Sequence, residues 1–65
     1  MQINQAIKES GRSKFKIALD AKISPGDFYL ALNGKKPFYP GWRKRIADVL
    51  QLPEDELFPE YRKDT

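Results

Sequence analysis

Cysteine and histidine are both missing from this 65-residue chain. Without cysteine there is no disulfide framework, and without either residue there is no Cys/His zinc site. The commonest general base and the thiol nucleophile are lost with them, so no catalytic constellation can be drawn. No enzymatic activity, no metal and no cofactor are expected. Long apolar runs are lacking too. Nothing approaches the roughly 20 residues of a membrane span, and the opening MQINQAIKES has no signal-peptide core. A cytoplasmic protein with no membrane partner is the expectation. Alternating strand patterns, internal repeats and low-complexity segments are also absent.

What remains is one small domain, near the lower size limit for a self-sufficient core. Its net charge of +3 conceals a polarity along the chain. Residues 1–45 carry ten Lys/Arg against three acids, a net +7, whereas residues 46–65 carry two against six, a net −4. Such asymmetry suggests a basic face for a polyanion and an acidic end directed elsewhere.

Residues 13–34, SKFKIALDAKISPGDFYLALNG, organise the chain. They read as two short helices, about 14–22 and 25–33, joined by a tight turn. Ser13 caps the first of the pair, and Ile17, Ala18 and Ala21 form its core face, with two small residues that let another helix approach. Ile23 plugs the turn. Ser24 is placed to cap the next helix, Pro25 suits its first position, and Asp27 completes an S-x-x-D capping box. Phe28, Ala31 and Leu32 form its buried side, and Asn33-Gly34 supplies a left-handed stop. This is the outline of a helix-turn-helix.

The flanks supply the scaffold. Ile3, Ala6 and Ile7 make an amphipathic stripe in a first helix over residues 1–10, stopped by Gly11. Lys35-Lys36-Pro37 opens a loop with a definite non-helical path. Trp42, Ile46, Val49 and Leu50 form the core stripe of a helix from about Pro40 to Gln51. Pro53, with Glu54, Asp55 and Glu56 behind it, begins a last helical turn, because acids favour the positive end of the helix dipole. Leu57 and Phe58 fold back on the core before Pro59. The expected fold is all-α, a compact bundle of four helices plus a short fifth. One helix-turn-helix domain spans residues 1–60, and residues 61–65 form a frayed tail.

In this order and spacing, residues 7–60 resemble the lambda-repressor-like helix-turn-helix domains of the Cro/repressor or XRE type. The resemblance is carried by Ser10-Gly11-Arg12-Ser13, Ile17-Ala18, Ile23-Ser24, Phe28, Ala31 and Asn33-Gly34-Lys35-Lys36-Pro37. Ile46-Ala47 with Leu50, and Asp55-Glu56-Leu57-Phe58, complete it. It implies a five-helix fold and DNA binding, often in transcriptional control of phages or mobile elements. The chain departs from the family's habit at Lys22, a turn position often held by glycine. Phe15, Leu19 and Leu30 stand where polar residues are usual. The helix over 25–33 contains no Lys, Arg or Gln, the usual readers of guanine and adenine.

The resemblance implies that this helix enters the major groove, with Ser24, Pro25, Gly26, Asp27, Tyr29, Leu30 and Asn33 as candidates for base contact. Asp27 can accept from cytosine N4 or serve only as a cap. Tyr29 can touch phosphate or meet a thymine methyl. Asn33 can read a base or merely stop the helix. Lys14, Lys16, Lys35, Lys36 and Arg43 are the candidates for phosphate contact, with Lys36 and Arg43 favoured. The expected partner is double-stranded DNA, bound more strongly by a homodimer on paired half-sites. The alternative is a protein-interaction module on the same frame, using Phe15, Leu19, Tyr29 and Leu30 against a protein partner.

Overall fold

The computed structural model describes residues 3–61, and every regular element among them is helical. In chain order these are α1 (Ile3–Ser10), α2 (Lys14–Asp20), α3 (Pro25–Leu32), α4 (Pro40–Leu50), the short α5 (Glu54–Leu57) and a 3₁₀ turn, Pro59–Tyr61. The all-α bundle expected from the sequence is therefore the one observed. Residues 1, 2 and 62–65, assigned to the first helix and to a tail, lie outside the described residues.

Helical spacing sets the core. Ile3, Ala6 and Ile7 bury one stripe of α1, and Ile17, Ala18 and Ala21 one stripe of α2 and its end. Phe28 and Ala31 face them from α3, Ile46 and Ala47 from α4, with Leu57 and Phe58 folding back as expected. Trp42, Val49 and Leu50 pack partly buried around this centre. The alanines of α2 leave space for α3, and these two helices form the most extensive contact in the molecule.

Helix ends follow one pattern. At the end of α2 the Ile23 amide donates to the Ala18 carbonyl at 2.8 Å and the Lys22 amide to Leu19 at 3.0 Å. This is the Schellman arrangement, with Lys22 at φ 60 in the left-handed position. The same pair of bonds ends α3, from Lys35 to Leu30 and Gly34 to Ala31, with Gly34 at φ 80. Gln51, at φ 56, ends α4 in the same way. The expected stop at Gly34 is present, and the lysine in the turn does adopt the conformation that favours glycine.

One expected cap is not formed. Ser13 Oγ accepts from the Lys16 amide at 3.1 Å, capping α2. Ser24, at φ −57 and ψ 129, makes no side-chain capping bond. The Asp27 carboxylate, expected to reach back to the Ser24 backbone amide, instead takes the Lys36 ammonium at 2.9 Å. A charge-assisted bond outcompetes a neutral amide donor, which accounts for the carboxylate half of the box.

The loop before α4 supplies a residue that periodicity does not flag. Phe38 lies 1% exposed at the centre of an aromatic cluster. Its ring meets Phe58 at 4.9 Å between centroids, and Phe28 and Tyr61 edge-on at 6.4 and 6.5 Å. Burial of a ring this size contributes roughly 1.5–3 kcal/mol. Tyr61, expected at the start of a frayed tail, is partly buried in this cluster.

Candidate nucleic-acid interface

The four residues between α2 and α3 set the angle at which α3 leaves the core. Ile23, 4% exposed, anchors the turn from inside. With Phe28 and Ala31 facing inward, helical geometry turns Gly26, Tyr29, Leu30 and Asn33 outward as one face. Tyr29 and Leu30 are 41% and 38% exposed. Of the other expected base-contact residues, Ser24 is exposed, whereas Pro25 and Asp27 are half-buried.

Asp27 is the only charged side chain of α3, and its carboxylate is held by Lys36. The hydrogen bond to Asp27, followed by the same carboxylate's charge, raises the Lys36 pKa above its ordinary value. Lys36 therefore stays fully protonated at neutral pH, but it is tied to an acid and not presented singly to a phosphate.

The remaining cations separate into two groups. Lys14 and Lys35 are exposed, with no carboxylate partner among the described residues, and Lys16 lies 3.7 Å from Asp20 while staying largely in solvent. Lys22, at the exposed tip of the turn, has the same unpaired character. In the sequence Lys22 stands out only as a turn position often held by glycine, although it lies three residues before α3.

Arg43 belongs to the second group. Its side chain is 15% exposed, with Nε donating to Glu54 at 3.2 Å. Nη1 donates to the Phe38 carbonyl, and the guanidinium lies over the Tyr61 ring at 4.5 Å. This favoured phosphate candidate is thus an internal clamp between the loop, α4 and α5. Its neighbour Arg45 is similarly engaged, donating to the Ala21 carbonyl at the end of α2 at 2.8 Å. Arg12 donates to Val49 at 3.3 Å and lies 3.7 Å from Asp20. Arg12, Arg43 and Arg45 bond within the scaffold, while Lys14, Lys22 and Lys35 face solvent.

Residues 14–36 carry five lysines and two aspartates. Both aspartates are engaged, Asp20 by Arg12 and Lys16 and Asp27 by Lys36, so the field around α3 is positive. The acids of the C-terminal half lie elsewhere. Asp55 and Glu56, with Glu9, Gln5 and Leu52, line a cleft of about 420 Å³ formed by α1, α5 and the segment joining α5 to α4. Those carboxylates suit no phosphate. Phe15 and Leu19, one turn apart on α2, are 53% and 49% exposed, left uncovered by every element among the described residues. No helix among the described residues is long and apolar enough to cross a membrane.

Comparison of the chain with protein-family models, with curated proteins and with solved structures finds no match.

Proposed function

We propose that this protein is a small DNA-binding transcriptional regulator of the lambda-repressor-like, Cro/repressor kind. In this role α3 enters the major groove, lysines hold the flanking phosphates, and no chemistry is performed. One observation carries the proposal: an uncovered helix face, set off by a tight turn, is flanked along the chain by exposed Lys22 and Lys35, with exposed Lys14 at the start of the helix packed against it, none with a carboxylate partner among the described residues. Phosphate contacts of this type position a protein and make its affinity fall steeply with salt. A module this small covers few base pairs, so pairing of two copies on adjacent half-sites strengthens binding.

The test is a salt titration of binding to mixed-sequence duplex DNA. Lys14→Ala and Lys35→Ala should each reduce the log–log salt slope by about 0.9 per phosphate contact removed. Absence of binding at low salt, or binding indifferent to both substitutions, would overturn the proposal.

A second reading has an observation of its own: Phe15 and Leu19 leave two large apolar side chains in solvent on the helix beside α3. On this reading the same frame grips a protein. The substitutions Phe15→Lys and Leu19→Lys separate the two, since they abolish a protein contact there while leaving DNA affinity equal or higher.

A further inference from the structure

We infer that α3 reads DNA through methyl groups, with Tyr29 and Leu30 forming an apolar reading face for the C5-methyl of thymine. The inference rests on the DNA-binding role proposed above and names what that role would recognise. Three observations carry it. First, the outward face of α3 is Gly26, Tyr29, Leu30 and Asn33, and its two large side chains expose apolar surface (41% and 38%). Second, the one charged side chain of the helix is withdrawn. Asp27 Oδ1 holds Lys36 at 2.9 Å, so the carboxylate faces any base as half of an ion pair and not as a free acceptor. Third, Gly26 answers to neither packing nor backbone. Its φ is not positive, and an added Cβ would meet only Ser24 Oγ, at 4.0 Å. The missing side chain instead lowers the first turn of α3, so that the backbone can lie close to whatever it faces.

The major groove offers one apolar feature to such a face, the methyl of thymine, and its other groups are hydrogen-bond donors and acceptors. A helix that presents a leucine and a tyrosine ring, with no Arg, Lys or Gln among its residues and its one outward amide, Asn33, only at the C-terminal cap, matches the methyl better than the polar edges. The surrounding lysines suit the phosphates on either side of the groove.

Four defined duplexes test this: alternating dA·dT, its dA·dU counterpart lacking the methyl, alternating dG·dC, and the same with 5-methylcytosine. Alternating sequence makes the methyl available in every register. Each buried methyl should tighten binding about fourfold, so dA·dT should be preferred over dA·dU, and cytosine methylation should strengthen binding to dG·dC. The Tyr29→Ala/Leu30→Ala double variant should lose both differences while keeping the salt slope. Equal affinity of the unaltered protein for thymine and uracil duplexes, or a preference that persists in the double variant, overturns methyl readout and leaves DNA binding standing. Failure to bind any of the four at low salt overturns DNA binding as well, and points to a protein partner for this face.

Discussion

The backbone amide of Phe38 donates to the Tyr61 hydroxyl at 3.1 Å, while the two rings meet edge-on at 6.5 Å. The carbonyl of the same phenylalanine accepts from Arg43, whose guanidinium covers the Tyr61 ring. Both polar groups of one loop residue are thus fastened by side chains from α4 and from the last turn. A proline-bounded segment has no ladder to satisfy them, and an unpaired buried amide is costly.

Tyr61→Phe removes only the hydroxyl and leaves that amide without its acceptor. Stability should fall by about 1–2 kcal/mol, which for a domain of this size displaces the thermal midpoint by several degrees. Tyr61→Ala should cost more, because the ring contacts with Phe38 and Phe58 go as well. Urea or thermal melts measure both. An unchanged midpoint for Tyr61→Ala would mean that the last turn does not belong to the core.

Arg43→Ala should act on stability, by roughly 2–3 kcal/mol from lost charged hydrogen bonds and ring contact. It should leave the salt slope of DNA binding unaltered. Lys35→Ala should do the opposite. Arg43→Lys should not restore the loss, since an ammonium cannot serve Glu54, the Phe38 carbonyl and the Tyr61 face together. Melts and salt titrations on the three variants provide the check, and a reduced slope for Arg43→Ala would place that guanidinium on phosphate after all.

Lys22 holds a left-handed φ of 60 that ordinary residues adopt at a cost. Lys22→Gly should raise stability by about 1 kcal/mol, visible in the denaturant midpoint. The same substitution removes a cation next to α3 and should weaken DNA binding. Stability and affinity moving together would refute this division of roles.

The Lys36–Asp27 pair makes a pH prediction with a definite sign. Its hydrogen bond raises the lysine pKa in the folded state above the ordinary 10.5. The stabilisation is therefore fully present below the unfolded value and is lost as pH rises through the folded one. The stability difference between the wild type and Lys36→Met should stay level from about pH 8 to pH 10 and shrink at more alkaline pH. A difference that persists unchanged into strong alkali would show that the ammonium is not its source.

Where local rules decided, the sequence was readable. Apolar spacing located α1, α2 and α4, Gly11 and Gly34 ended helices at positive φ, and Ile23 filled the turn. Phe38 was not legible, because a single ring between Pro37 and Pro40 has no periodicity and owes its burial to partners 10 or more positions away. Arg43, Lys44 and Arg45 look alike in a row, yet the turn of α4 sends the first to Phe38 and Glu54 and the third to Ala21. Only tertiary structure separates such clamps from solvated cations. At the interface, helical spacing was enough to nominate Tyr29, Leu30 and Asn33. The withdrawal of Asp27 was hidden, because its partner lies nine residues along the chain.

The aromatic cluster has a consequence for biosynthesis. Phe38 finds two of its ring partners, Phe58 and Tyr61, only when the last residues of the chain follow. A nascent chain, or one terminated early, therefore displays bare rings of the kind on which chaperones and proteases act.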